Sequence, residues 1–384
     1  MENAINTLRI QNFKSIKDVT MKPRRVNLII GQPNVGKSNI LEAMSLLGAG
    51  LYDNGKRLLG DVVRYEGFSN LFYDDDTKGK VMVESSISKA ILERNHIGNG
   101  HYQFVQVSNN VYDFIENQWA VMSELEGRGT LDTKGLDTMI QGYIEEYPDE
   151  QTYSFFGASV EDTGVYKKSL SKYSTTSILP KKYVYRTSQP HDKEYQYSFL
   201  MPPAGWNLLE VVQQNPLLRK QIVELFKPYH LQLVLRVKEH KFEIQKNIND
   251  FIYNYPYSSI ADTLQRIIFY LAAIESNDDS VLLFEEPEAH TFPVYTTMLG
   301  QKIAESRNNQ FFVATHSPYL LTEIIENLVP QERGQELAIF LAYYEDYQTK
   351  IYQLTDEEVG EIRRDAIDVF YNLSRYTPHA NPYA

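Results

Sequence analysis

The sequence predicts an α/β fold: a mixed central sheet flanked by helices, with an antiparallel β lobe and an α-rich middle insertion. Three observations predict it. Residues 31–38 read Gly-Gln-Pro-Asn-Val-Gly-Lys-Ser, a complete G-x-x-x-x-G-K-S loop set between the apolar run 26–30 and a helical pattern. The apolar run 281–284 ends in Glu285 and Glu286, and the run 310–314 ends in Thr315-His316-Ser317-Pro318. Short buried strands that end in reactive side chains place those side chains along the carboxyl edge of a sheet, where α/β proteins bind ligands.

The elements follow in order. Residues 8–13 alternate like a strand, and 19–21, before Lys22-Pro23, read as its hairpin partner. After the loop, Ile40, Leu41, Met44 and Leu47 recur at helical spacing. Between about 50 and 110, glycines and the acidic run 74–76 alternate with short apolar stretches at 81–83 and 104–107, the pattern of a small antiparallel sheet. Residues 111–225 are mixed, with helical pieces at 111–125 and 205–226. Residues 231–238 alternate as a half-buried strand, with 241–245 as its return. Their Arg236, Lys238 and Lys241 read as a solvated sheet face in preference to a phosphate-backbone contact. Before the acidic strand, Leu264, Ile267, Ile268, Leu271 and Ala272 share one helix face, with Ser259 or Asp262 as the expected N-cap. The expected organisation is 1–110 as an N-terminal lobe carrying the loop and an antiparallel subdomain, 111–250 as a mixed insertion, and 251–384 as a C-terminal lobe.

Composition excludes several functions. A chain of 384 residues holds a single elaborated unit or two to three domains. It lacks the roughly 18-residue apolar run of a membrane span and the core of a signal peptide, so a soluble, cytoplasmic protein with no membrane partner is expected. The absence of cysteine rules out disulfides, zinc-thiolate sites and a cysteine nucleophile. A formal charge of −12 argues against a surface that binds nucleic acid throughout. Residues 1–30 hold six basic side chains against two acidic ones, so any DNA contact is local, and a solvated strand edge is the plainer reading.

The chemistry lies in four segments. Gly31, Gln32, Pro33, Asn34, Val35, Gly36, Lys37, Ser38 and Asn39 are expected to hold a nucleotide: the glycines let backbone N–H groups face phosphate, and the following helix presents its positive end. Lys37 reaches the β- and γ-phosphates and the Ser38 hydroxyl holds Mg²⁺. Glu285 binds the metal through water, Glu286 orients or deprotonates the attacking water, and His316 hydrogen-bonds the γ-phosphate and that water. Lys37 and Glu286 are 249 positions apart, far more than compact GTPases or nucleotide kinases place between these halves. Ser258, Ser259 and Asp262 open a helix, and they read either as ordinary capping residues or as an anion site for the γ-phosphate of a second subunit.

With these segments together, the chain resembles the ABC-type ATPase heads of the RecF, SMC and OLD group, the AAA-15 or AAA-21 ATPases. Residues 8–47, with Asn12-Phe13-Lys14-Ser15 and Gly36-Lys37-Ser38-Asn39-Ile40-Leu41-Glu42-Ala43, are similar to their N-terminal lobe. Glu285-Glu286-Pro287-Glu288-Ala289-His290 resembles their Walker B segment, and Thr315-His316-Ser317-Pro318 their switch histidine. The resemblance implies a P-loop NTPase of the ABC/RecF/SMC type that hydrolyses ATP with Mg²⁺. It implies two ATP molecules held between head-to-tail protomers, with Ser258, Ser259 and Asp262 completing the partner's site in an ATP-dependent dimer or higher oligomer. Relatives of this build act in bacterial DNA repair and anti-phage defence. Output through a separate effector, such as a nuclease or toxin, is therefore expected, with DNA as a further partner. No D-x-D strand end follows His316, so an appended Toprim nuclease is not expected, and no heptad arms suggest an SMC-like coiled coil.

The chain departs from the family pattern at three places. Glu285 stands where an aspartate is usual, Asp262 where glycine is expected, and Thr291-Phe292-Pro293 replaces Leu-His-Pro. Slow turnover follows from the first two. The alternatives are a nucleotide-gated scaffold with little hydrolysis and, less favoured given the long insertion, the nucleotide-binding subunit of an ABC transporter.

Overall fold

The computed structural model describes all residues except 53–55, 96–100, 127–132, 149–151, 175, 177, 188–196 and 378–384. At its centre a six-stranded mixed sheet runs in the order β16 (Gln348–Gln353), β15 (Leu337–Glu345), β3 (Val26–Ile30), β14 (Asn309–Ala314), β13 (Ser280–Glu285) and β9 (Lys181–Tyr183). Every neighbouring pair is parallel except β15 with β16. All five residues of β3 and all six of β14 are buried, as expected for parallel strands covered on both faces.

Alternation along the strands divides the core in two. Val281, Leu283 and Phe312 pack with α1 (Lys37–Leu46) and the antiparallel sheet on one side, where Ile40, Leu41, Met44 and Leu47 are all fully buried. Leu282, Phe284, Phe311 and Val313 face the other way, onto α6 (Asp262–Ser276), α7 (Pro293–Glu305) and α8 (Pro318–Leu328). The predicted face of α6, from Leu264 to Ala272, is buried there.

The seven-stranded antiparallel sheet runs β2 (Ile16–Met21), β1 (Leu8–Phe13), β4 (Val81–Ser85), β5 (Ser88–Arg94), β6 (Tyr102–Ser108), β7 (Ser154–Val160), β8 (Tyr166–Tyr173). The hairpin of residues 8–21 is present, with Leu8 opposite Met21. Residues 111–250 contribute to all three sheets. Helices α2 (Asn109–Glu126) and α3 (Thr133–Glu146) come first, then β7 and β8 extend the antiparallel sheet and β9 the central one. The helical stretch expected over 205–226 is two helices, α4 (Leu208–Gln214) and α5 (Pro216–Phe226). Pro216 has no N–H to continue α4 and holds Asn215 extended, and the Asn215 side chain then caps α5 by accepting from the Leu218 N–H at 3.0 Å.

A small third sheet pairs β10 (Leu231–Arg236), β11 (Lys241–Ile248) and β12 (Phe251–Pro256). The first two strands are the hairpin read from alternation. The third was not read, because its six residues are all exposed and carry no burial pattern. Helices α9 (Asp356–Arg364) and α10 (Leu373–Tyr376) follow the central sheet's last strand. Among the described residues, no helix is long and apolar enough to cross a membrane.

Candidate nucleotide site

The register of the parallel strands assembles the site. Ala314 lies beside both Ile29 and Glu285, so the ends of β3, β13 and β14 share one edge. The chain leaves β3 into a loop in which Gly31 (φ 150°) and Gly36 (φ 93°) take positive dihedrals. A Cβ at Gly31 would lie 2.2 Å from the Ala342 carbonyl oxygen, and one at Gly36 would lie 2.1 Å from Thr349 Oγ1. Conformation and space both require glycine at these two positions.

A chain of donors fixes the loop from outside. Asn39 Nδ2 donates to Ser15 Oγ at 2.8 Å, Ser15 Oγ lies 2.6 Å from Thr349 Oγ1, and Thr349 Oγ1 donates to the Val35 carbonyl at 2.9 Å. Asn39, expected among the nucleotide contacts, thus uses its amide to clamp the loop. Lys37 is only 6% exposed, and its ammonium donates to the Gly31 and Gln32 carbonyls at 3.0 and 2.7 Å. Burial lowers its pKa to about 8, against an upward pull from Glu286.

Beyond β13, the Glu286 N–H donates to the Ala314 carbonyl at 2.8 Å while φ reaches 42°, which turns its side chain off the strand. His316 Nε2 lies 3.4 Å from Glu286 Oε1, and both side chains are partly exposed, at 38% and 49%. Burial, reinforced by the Lys37 charge, holds the His316 pKa below its ordinary value, with Glu286 opposing. Lys37, Glu286 and His316 therefore lie within one another's fields. Glu288 sets the histidine turn: one of its oxygens accepts from Thr315 Oγ1 at 2.5 Å and from the His316 N–H at 3.0 Å. Burial raises the Glu288 carboxyl despite those bonds.

Glu285 lies in a different setting. Its Oε2 is 2.9 Å from Lys182 Nζ and its Oε1 3.3 Å from Arg64 Nη2. Burial pushes the carboxyl up, but Lys182, the Ser38 hydroxyl and Arg64 outweigh it and hold the pKa below the usual range. Ser38 and Glu285 thus stand together as oxygen donors of the kind Mg²⁺ takes. No cluster of three His, Asp or Glu side chains suited to a metal occurs among the described residues. That donor set fits a cation that draws its remaining ligands from water and phosphate.

The helix-opening segment is presented outward. Ser258 and Ser259 are exposed in a short turn before α6, and neither Ser259 nor Asp262 is the N-cap: Ala261 is, and it makes no side-chain bond to the helix. Asp262 is the first helical residue, and its carboxylate accepts instead from the Tyr185 hydroxyl at 2.9 Å, with Arg266 at 3.5 Å. Those partners screen the acid that stands where glycine was expected. Among the described residues no hydrogen bond or ion pair joins Ser258, Ser259 or Asp262 to the phosphate loop of the same chain.

Residues 4–118 and 262–321 match the AAA ATPase domain family. Over these two stretches, fewer than half of its residues, the chain is similar to AAA ATPase domains. Both matched stretches meet at the sheet edge just described, one bringing the phosphate loop and the other Glu285, Glu286 and His316. An ATP/GTP phosphatase of Helicobacter pylori is 23% identical over 390 residues, covering 94% of this chain and 95% of its own. Among solved structures, an Smc head bound to the C-terminal winged-helix domain of ScpA is 14% identical, covers 93% of this chain and 99% of its own, and has a TM-score of 0.46. An Smc head with an extended coiled coil, bound to the C-terminal domain of ScpA derived from Pyrococcus furiosus, is 13% identical at a TM-score of 0.44, covering 94% and 99%.

The site also uses residues the sequence did not single out. Lys14 and Arg64 both bind Glu42, Arg64 at 2.7 Å, and Glu42 is fully buried on α1. An acid within the run Ile40-Leu41-Glu42-Ala43-Met44 was the available signal, since a buried carboxylate requires a cation. Lys182 and Thr349 had none: each reaches the site only through strand pairing, and both lie outside the matched stretches.

Proposed function

We propose that this ATPase hydrolyses ATP as a dimer switch, with Glu286 acting on the attacking water and His316 orienting the pair. The observation that carries the reading is the 3.4 Å contact between His316 and Glu286 at the ends of neighbouring parallel strands, within the field of Lys37. Glu286 is exposed enough to meet a water, and a neutral His316 accepts or donates one hydrogen bond beside it. Lys37 exchanges its two loop carbonyls for phosphate oxygens, which gain more from an ammonium. Ser38 and Glu285 would hold Mg²⁺, which would supply charge neutralisation at the transferred phosphoryl group.

The exposed Ser258 and Ser259, beside the half-buried Asp262, support a second copy as the element that completes each site, because their own chain leaves the two serines facing outward. Output through a separate effector, a nuclease or toxin, and a role in DNA sensing, repair or anti-phage defence follow from the resemblance to the RecF, SMC and OLD heads. The Helicobacter relative's name supports GTP as a second substrate to be compared with ATP. The ion pairs on Glu285 favour, as a second reading, a scaffold that binds nucleotide with little turnover.

Steady-state hydrolysis and size-exclusion chromatography of Glu286→Gln test both. Turnover is expected to fall about 10²- to 10³-fold, and the variant is expected to accumulate as an ATP-bound dimer. Wild-type turnover at the level of Glu286→Gln would favour the scaffold. The absence of an ATP-dependent shift in the variant would count against the dimer.

A further inference from the structure

We propose that Lys182 is the resident counter-ion of Glu285, and that it makes metal binding depend on nucleotide: Mg²⁺ reaches Glu285 only together with the triphosphate. The proposal rests on the reading of Glu285 as the metal carboxylate and adds a residue with no place in that reading. Lys182 enters from β9, beside Leu283 of β13, and its side chain runs up to the carboxyl edge. There its ammonium is bound by Glu285 Oε2 at 2.9 Å and the Val62 carbonyl at 3.0 Å.

The two cations on Glu285 differ in their freedom. Arg64 is 70% exposed and is shared with Glu42, so it can swing towards solvent or phosphate. The Lys182 side chain is 2% exposed and is held between Glu285 and the Val62 carbonyl. Lys14 and Arg64 pair with Glu42, and Arg64 and Lys182 pair with Glu285; Arg64, Lys182 and both carboxylates line a cavity of about 400 Å³ together with Ser38 and Glu286. A bare divalent cation entering this cavity meets a carboxylate that is already neutralised and a positive charge that cannot move away. A metal–triphosphate complex carries net negative charge and meets attraction from the same cations. Glutamate in place of aspartate suits this arrangement, because the longer arm brings its two oxygens to Lys182 and Arg64 at once.

Mn²⁺ binding to the nucleotide-free protein, followed by electron paramagnetic resonance, tests the proposal. Two like charges a few ångströms apart repel each other, so Lys182→Met and Lys182→Gln are expected to bind Mn²⁺ at least about tenfold more tightly than wild type. Lys182→Arg keeps the charge and is expected to bind as weakly as wild type. The half-saturating Mg²⁺ concentration for ATP turnover, which is set by the metal–triphosphate complex, is not expected to fall in the two neutral variants. Circular dichroism shows which neutral variant is folded, and either one suffices. Mn²⁺ affinity unchanged or weaker in a folded neutral variant overturns the proposal. Glu285→Gln separates this outcome from failure of the underlying reading: if it leaves the Mg²⁺ requirement of turnover unchanged, Glu285 is not the metal carboxylate.

Discussion

The phosphate-loop corner and the segment that opens α6 are built in opposite ways. The loop is clamped by side chains from two other strands or turns, its lysine is buried against its own carbonyls, and each of its two positive-φ glycines is packed against a neighbour. Ser258 and Ser259 are exposed, their helix has no side-chain cap, and the β12 strand leading into them is exposed at every residue. A site that must pre-organise backbone N–H groups for phosphate gains from rigidity, since ordering them on binding would cost affinity. A surface that meets a second molecule gains from remaining uncommitted until that molecule arrives. Under the proposed dimer, the chain finishes one half of the hydrolytic site alone and offers the other outward.

Removing the rigid half should have the larger effect. Lys37→Ala is expected to weaken ATP binding on the order of a hundredfold, because a charge-assisted contact to phosphate is lost. Isothermal titration calorimetry checks this on the single chain, and a loss below tenfold would break the contrast. Altering the outward half should spare that measurement. Ser259→Glu adds a second acid beside Asp262 and is expected to leave ATP binding to one chain unchanged while lowering turnover about tenfold, through like-charge repulsion at the partner's phosphate. In a Glu286→Gln background the same change should reduce the ATP-dependent dimer seen by size-exclusion chromatography, and equal loss of binding and turnover would erase the distinction.

The smallest expected effect is on pH dependence. Lys37 titrates at about 8 in the free protein, and only its protonated form attracts phosphate, so bound ATP must raise that value. ATP affinity is then flat below about pH 8 and falls by up to about tenfold per unit above it, until the raised value is passed. Lys37→Arg should abolish the slope. His316, held below its ordinary 6.5 chiefly by burial, stays neutral at pH 7, so turnover should decline only under more acidic conditions. A pH–rate profile in which acid loss begins above 6.5 would show that the histidine is not shielded as its surroundings imply.

Much of this site was legible because each part announces itself locally. A glycine-rich loop needs its glycines in fixed places, a strand end delivers its last side chains to the sheet edge, and the three reactive strands read as short apolar runs. Residues 31–38, Glu285, Glu286 and His316 were found for those reasons, and the register of β3, β14 and β13 places them together. The local signal also misled at α6, where short polar side chains suggested a cap but Tyr185 holds Asp262 and Ala261 takes the capping position. It missed Pro216 as a helix break, although a proline that follows an asparagine is itself a signal.

By itself the sequence determined the fold class, the phosphate loop and the order of acids and histidine, because each depends on a few neighbouring residues and on periodicity. Tertiary structure alone decided what surrounds them. Thr349 clamps the loop across 314 positions of chain to Val35, Arg64 reaches Glu285 across 221, and Lys182 meets the same carboxylate from an adjacent strand. Strand pairing brings together groups that no spacing in the sequence relates, and burial makes the pairing of Lys182 with Glu285 obligatory while it leaves the exposed Arg64 free to exchange partners.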